Sequence, residues 1–243
     1  MIKIFADAEQ LNRFAAEKFV EIAVEAVEKN GSCVVALAGG STPKAFYQLL
    51  ASEKYKNEID WTKTIFFFGD ERNVAPDSDE SNFRMANENL FAPLKINDAN
   101  IFRWQTELKD AKKIAGDYED SIKAFFALFE KEFPKFDLIL LGMGDDGHTA
   151  SLFPHTEALR EKDKIAVANP VGKLNTTRLT LTFPAINNAR NVIFLVKGAD
   201  KAATVRAVLQ EDLQPEKFPS QAISPTNGEL WWLIEKDAAR FLQ

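Results

Sequence analysis

Cys33-Val34-Val35-Ala36-Leu37-Ala38-Gly39-Gly40-Ser41-Thr42-Pro43 is the stretch on which the fold turns. Six apolar residues in unbroken succession have the length of a strand buried on both faces, the form that strands take in a parallel sheet. Two glycines then let the backbone turn, and Pro43 suits the first position of a helix. Strand, turn and helix in this order make half of an α/β unit.

The same alternation runs outward in both directions. Toward the N-terminus, Ile2 to Phe5 reads as a strand. Leu11, Phe14, Ala15, Ile22, Ala26 and Val27 then keep helical spacing up to Asn30-Gly31, a helix stop. Toward the C-terminus the pattern predicts a helix over 43–50, a strand over 64–68 and a helix over 81–90 that ends before Pro93. Ile114, Tyr118, Ile122, Phe126, Phe129 and Phe133 form one apolar stripe, which predicts an amphipathic helix over 109–133. Strands follow at 137–141, 165–168, 179–183 and 192–196, then a helix over 201–209 and a strand near 231–234. Residues 215–225, rich in Pro and Ser, read as a surface connection, and no internal repeat appears. The expectation is an α/β fold: a single domain over residues 1–243 with a mainly parallel, Rossmann-like sheet covered by helices on both faces.

Composition narrows the partners. Thirty Lys plus Arg against thirty-six Asp plus Glu gives a net charge of −6 over 243 residues, so long-range attraction for nucleic acid or an anionic membrane is not expected. An anionic ligand then needs local cations. The sole cysteine, Cys33, lies inside an apolar run and reads as core, which predicts a reducing, cytoplasmic setting. The N-terminus turns polar at once, unlike a signal peptide, and no apolar run approaches the length of a membrane span.

In parallel α/β sheets ligands bind where strands end, so the residues after each strand carry the chemistry. After the first, Gly39-Gly40-Ser41-Thr42-Pro43 suits a phosphate held by the free amides of a helix start, or equally a self-capped turn. It has the spacing of neither a nucleotide P-loop nor a dinucleotide fingerprint. After the second, Phe66-Phe67-Phe68-Gly69 runs into Asp70-Glu71-Arg72, three charges that cannot follow the strand into the core and that form either a local ion pair or part of a site. After the third, Leu138-Ile139-Leu140-Leu141 runs into Gly142-Met143-Gly144-Asp145-Asp146-Gly147-His148. His148 is one of only two histidines; it is a candidate general base with Asp146 placed to orient it, against the plainer reading of a hydrogen-bonded surface group. With His155 alone to add, a metal site is not expected. Arg178 and Lys201, at element boundaries, are candidate phosphate ligands or else solvated cations.

Gly-Gly-Ser-Thr-Pro, Gly-Asp-Glu-Arg and Gly-Met-Gly-Asp-Asp-Gly-His-Thr-Ala-Ser-Leu-Phe-Pro, in this order, resemble the 6-phosphogluconolactonase family, within the glucosamine/galactosamine-6-phosphate isomerase superfamily. Ser81 and Asn82, Arg178-Leu179-Thr180, and Phe194-Leu195-Val196-Lys197-Gly198 leading to Lys201 extend the resemblance along nearly the whole chain. It implies hydrolysis of 6-phospho-D-glucono-1,5-lactone to 6-phospho-D-gluconate by a monomer or small homo-oligomer, with no cofactor, no metal, no nucleic acid and no membrane. His148 and Asp146 would be catalytic, and Gly40, Ser41, Thr42, Asp70, Arg72, Gly144, Arg178 and Lys201 would bind substrate or its phosphate. Amides of Gly39, Gly40 or Gly144 are candidate oxyanion donors. The rival readings are an aminosugar-6-phosphate isomerase/deaminase and a non-catalytic sugar-phosphate sensor. In the isomerases a glutamate stands just before the proline of the Asp-Gly-His loop; this chain has Phe153 there, so the proton-shuttling carboxylate that isomerisation needs is missing.

Overall fold

Every residue of the strand β2 (Cys33–Leu37) is buried, and it pairs in parallel with β3 (Thr64–Phe68) on one side and β5 (Leu138–Leu141) on the other. The computed structural model describes all residues 1–243 and extends this pairing to β8 (Asn191–Val196), β9 (Glu229–Glu235) and β1 (Ile2–Phe5), giving a six-stranded parallel sheet in the order β1-β9-β8-β5-β2-β3. The helix α1 (Ala8–Asn30) starts at Asp7, whose carboxylate accepts the Gln10 amide at 2.8 Å. It stops at Gly31, where φ of 81° is cheap only for glycine. The helix α2 (Ser41–Leu50) follows β2 directly.

Alternation along β3 shows why helices cover both faces. Phe66 packs against Trp61 and Phe91, and Phe68 against Phe83 and Phe91. Phe67 points the other way, into Tyr118, Phe125 and Phe126 of α5 (Ala111–Phe126). All three β3 phenylalanines are fully buried within one continuous core, and truncating any of them to Ala would cost about 3–5 kcal/mol.

Beyond the parallel sheet the structure adds what alternation alone does not announce. At Gly69 the chain leaves the main sheet and enters β4 (Asp70–Arg72), which pairs antiparallel with β7 (Thr176–Leu181), itself paired antiparallel with β6 (Ala166–Val171). The predicted strands near 165–168 and 179–183 thus belong to a separate three-stranded sheet. Pro170 is tolerated because β6 is an edge. Phe183 opens the short helix α6 (Phe183–Asn187), with Pro184 in its first turn.

Two helix boundaries also differ. The helix predicted to reach residue 133 stops at Phe126, because Ala127 turns left-handed with φ of 51°. Phe129 is mostly exposed, while Phe133 packs against the core from outside any helix, so the apolar spacing runs on past the helix without extending it. Conversely, helical backbone passes Pro93. α3 (Asn82–Ala86) runs into a π turn over Asn87–Phe91 and then α4 (Ala92–Leu94), and the shifted hydrogen-bond register accommodates a residue with no N–H. The last helix, α7 (Ala202–Gln210), lies between β8 and β9 in the chain. No helix is long and apolar enough to cross a membrane.

Candidate active site

The loop after β5 is held by its own backbone. Gly144 donates its amide to the His148 carbonyl at 2.9 Å, and Gly147, with φ of 77°, donates to the Gly144 carbonyl. Thr149 Oγ1 returns to the Gly142 carbonyl at 2.9 Å, and Thr204 of α7 anchors the Asp145 carbonyl at 2.5 Å. This scaffold presents His148 Nδ1 to Asp146 Oδ1 at 2.5 Å, and the same oxygen accepts the His148 amide at 3.1 Å. Asp146 Oδ2 is engaged by Lys173. An ionised Asp146 makes Nδ1 the protonated nitrogen and leaves the lone pair on Nε2.

His148 also stacks on Phe153, ring centroids 4.1 Å apart. Burial pushes its imidazole down to about 4, with Lys201 and Arg178 pushing the same way and Asp70 and Asp145 opposing. The Asp146 contact opposes that fall; an imidazole held low by burial stays neutral at neutral pH and can accept a proton at Nε2. Gly144 is required here by space: a Cβ would meet His148 Nδ1 and Asp146 Oδ1.

Strand alternation sorts the three charges after Gly69. Glu71 turns inward, 2 % exposed, and accepts the backbone amides of Arg72, Asn82 and Phe83 at 2.8 Å each and the Ser81 hydroxyl at 3.2 Å. It is a buried clamp on the start of α3. Burial lifts its carboxyl above the usual range against those donors. Asp70 and Arg72 point the other way. Asp70 accepts Ser151 Oγ at 2.6 Å and Asn82 Nδ2 at 3.2 Å. Arg72 stands opposite Arg178 in the β4–β7 register, its guanidinium donating to the Glu80 carbonyl. Burial, then the neighbouring Arg72, lowers the Arg178 guanidinium from its ordinary value. Two facing cations are unfavourable unless an anion joins them.

The turn after β2 is built in the opposite sense from the β5 loop. Gly40, at φ of 102°, precedes α2 with no side-chain cap, so neither Ser41 nor Thr42 closes the helix start. The amides of Gly39, Gly40, Ser41 and Thr42 find no acceptor in the chain. Asn82 packs against Gly39 where a Cβ would stand, and its Oδ1, buried, has no partner.

Two adjoining cavities share Gly39, Gly40, Gly142 and Met143 as their common wall. One, of about 380 Å³, holds His148, Asp70, Arg72, Asn82, Ser151, Phe153, Lys173 and Arg178. The other, of about 420 Å³, holds Ser41, Thr42, Lys197 and Lys201. Of the residues singled out in the sequence, His148, Asp70, Arg72, Gly144 and Arg178 line the first, with Asp146 behind His148; Ser41, Thr42 and Lys201 line the second, and Gly40 lines both. Lys201 also pairs with exposed Asp200 at 2.9 Å. One expectation changes: the Gly144 amide is committed to the His148 carbonyl and is no oxyanion donor. Asn82, Ser151, Phe153 and Lys173 were not foreseen as site residues. Lys173 gave no local signal, since it enters from the β6–β7 hairpin. No three His, Cys, Asp or Glu side chains converge as an ion-binding cluster.

Known proteins agree with this architecture. The family described as glucosamine-6-phosphate isomerases/6-phosphogluconolactonase matches residues 6–232. A Synechocystis protein named 6-phosphogluconolactonase is 42 % identical over 220 residues, covering 90 % of this chain and 88 % of its own. The corresponding Chlamydia pneumoniae protein is 35 % identical over 227 residues, 92 % and 83 % of the two chains. The solved 6-phosphogluconolactonase of Trypanosoma brucei superposes with a TM-score of 0.89 at 31 % identity over 100 % of this chain and 98 % of that one. That of Thermotoga maritima gives 0.82 at 32 % identity, over 97 % and 99 %. With the family model matching residues 6–232 and these relatives covering nearly the whole sequence, the chain belongs to the glucosamine-6-phosphate isomerase/6-phosphogluconolactonase family.

Proposed function

We propose that the protein hydrolyses 6-phospho-D-glucono-1,5-lactone to 6-phospho-D-gluconate, the lactonase step of the oxidative pentose phosphate pathway, in a reducing cytoplasmic setting consistent with its single, buried Cys33. One observation carries the choice within the family: a neutral, Asp146-oriented His148 lies stacked on Phe153, an apolar ring where isomerisation would need a second proton-shuttling acid. One base and one water suffice for lactone opening.

In this reading the substrate's phosphate sits against the free amides of Ser41 and Thr42 at the positive end of α2, with Lys201 as counter-charge. Arg72 and Arg178, across the shared wall, add the positive potential that holds an anionic ligand in a chain of net negative charge. The phosphate fixes one end, so the lactone carbonyl is positioned at the other. His148 Nε2 takes a proton from water as the water oxygen bonds to C1, and the carbonyl electron pair moves onto its oxygen. The unpartnered Gly39 and Gly40 amides, which line the same cavity as His148, are the remaining candidate donors for that oxyanion. Collapse restores the carbonyl and breaks the bond from C1 to the ring oxygen. The proton on His148 passes to that oxygen, and the product acid ionises.

The test follows loss of freshly generated lactone at neutral pH, corrected for its spontaneous hydrolysis, for the unmodified protein beside His148→Ala. Fast hydrolysis that collapses in the variant supports the reading. No acceleration by the unmodified protein overturns it.

A further inference from the structure

We propose that Lys173 is a positioning residue of this reaction: from the tip of the β6–β7 hairpin it holds the Asp146 carboxylate in place, and through Asp146 it sets the tautomer and angle of His148. The inference rests on the reading of His148 as the base and adds to it a residue about 25 positions away in the chain.

The geometry is specific. Asp146 has two carboxylate oxygens, and each has its own task. Oδ1 takes both the ring Nδ1 and the backbone amide of His148, while Oδ2 takes the Lys173 ammonium. No other cation forms an ion pair with Asp146, whose side chain is one-quarter exposed. The same ammonium lies 5.0 Å from the centre of the Phe153 ring, on which His148 stacks. Lys173 therefore touches both groups that fix the imidazole: the carboxylate bonded to its Nδ1 and the ring against its face. It is carried by a 3-10 turn, Gly172–Leu174, that Asn175 closes in the left-handed conformation at φ of 46°. This turn brings Lys173 and Leu174 over the His148 cavity.

The charge balance says what Lys173 does there. The groups facing this pair are Asp70 from β4, Asp145 beside it in the loop, Arg178 from β7, Lys201 ahead of α7, and Lys173. Remove Lys173 and Oδ2 of Asp146 loses its contacting cation, so the carboxylate is no longer held against Nδ1. With the carboxylate free to rotate, its bond with Nδ1–H loosens and the imidazole is free to turn. The loss of a nearby positive charge also makes His148 easier to protonate. The first effect lowers kcat, and the second moves the acid limb of the activity profile upward.

The experiment compares steady-state kinetics and pH profiles of the unmodified protein, Lys173→Met, Lys173→Arg, His148→Ala and the double variant His148→Ala/Lys173→Met, all on 6-phosphogluconolactone. Lys173→Met is expected to lose about tenfold in kcat, the scale of a removed orienting partner, with KM within about twofold and the acid limb shifted to higher pH. Lys173→Arg should restore most of kcat, and Lys173→Met should cost nothing further when His148 is already Ala. An unchanged kcat in Lys173→Met, a loss confined to KM, or the same additional loss in the His148→Ala background would each overturn the proposal. A fully active His148→Ala would instead overturn the base assignment beneath it, so the two failures are distinguishable.

Discussion

The glycine-rich turns after β2 and after β5 look alike on paper and do opposite things. The β5 loop spends its backbone on itself: Gly144 and Gly147 bond within the loop, Thr149 and Thr204 tie its carbonyls, and the product is a rigid seat for one side chain. The β2 turn leaves the amides of Gly39, Gly40, Ser41 and Thr42 unbonded and uncapped at a helix start. A loop whose donors are used up positions a reactive group; a loop whose donors are spare receives one from outside. Glycine serves both for different reasons. At 144 a side chain would displace His148, whereas at 40 it would have space but not the backbone angle.

That contrast is open to direct attack. His148→Ala should lower kcat by about 10²–10⁴ with little change in KM, the usual worth of a general base; a large KM effect with kcat intact would move His148 to the binding side. Gly144→Ala should lower kcat by about a hundredfold, because misplacing a reacting group by about 1 Å costs that much, while thermal unfolding shows the protein still folded. Lys201→Ala acts on the other loop. Its loss should raise KM about tenfold or more, as expected for a charge-assisted hydrogen bond to phosphate, and leave kcat near its original value. Ser41→Ala should change KM by no more than about threefold, since the amide and not the hydroxyl is the spare donor at the start of α2; a larger loss would show that the side chain holds the ligand.

The smallest expected effect sharpens the β5 half of the comparison. Because burial depresses His148 to about 4, its base form is lost only as pH falls through that region. kcat/KM should therefore change by less than about twofold between pH 7 and pH 6. An unperturbed histidine would lose about three quarters of its base form by pH 6, so a limb near 6.5 would show that the Asp146 contact at Nδ1 offsets the effect of burial.

Much of this was legible in advance for identifiable reasons. The parallel sheet announced itself because strands buried on both faces are continuous apolar runs, as at Cys33–Leu37 and Leu138–Leu141. The antiparallel sheet did not, because Asp70-Glu71-Arg72 is charged throughout and reads as a loop until its pairing with β7 is seen. For the same reason Glu71 and Asp70 look equivalent in the chain. Only strand alternation sends one into a clamp on α3 and the other to Ser151 and Asn82.

By itself the sequence determined the α/β class, the three strand ends where chemistry gathers, and the His148–Asp146 pair, because each is written in short-range patterns: apolar periodicity, glycine turns and a two-residue spacing. The tertiary structure alone decided which amides stay free and which cations share a cavity. Those outcomes depend on hydrogen-bond partners and neighbours far apart in the chain: Lys201 with the β2 turn, Arg178 with Arg72, and Lys173 with Asp146. A pattern along the chain carries no information about partners that only folding brings together.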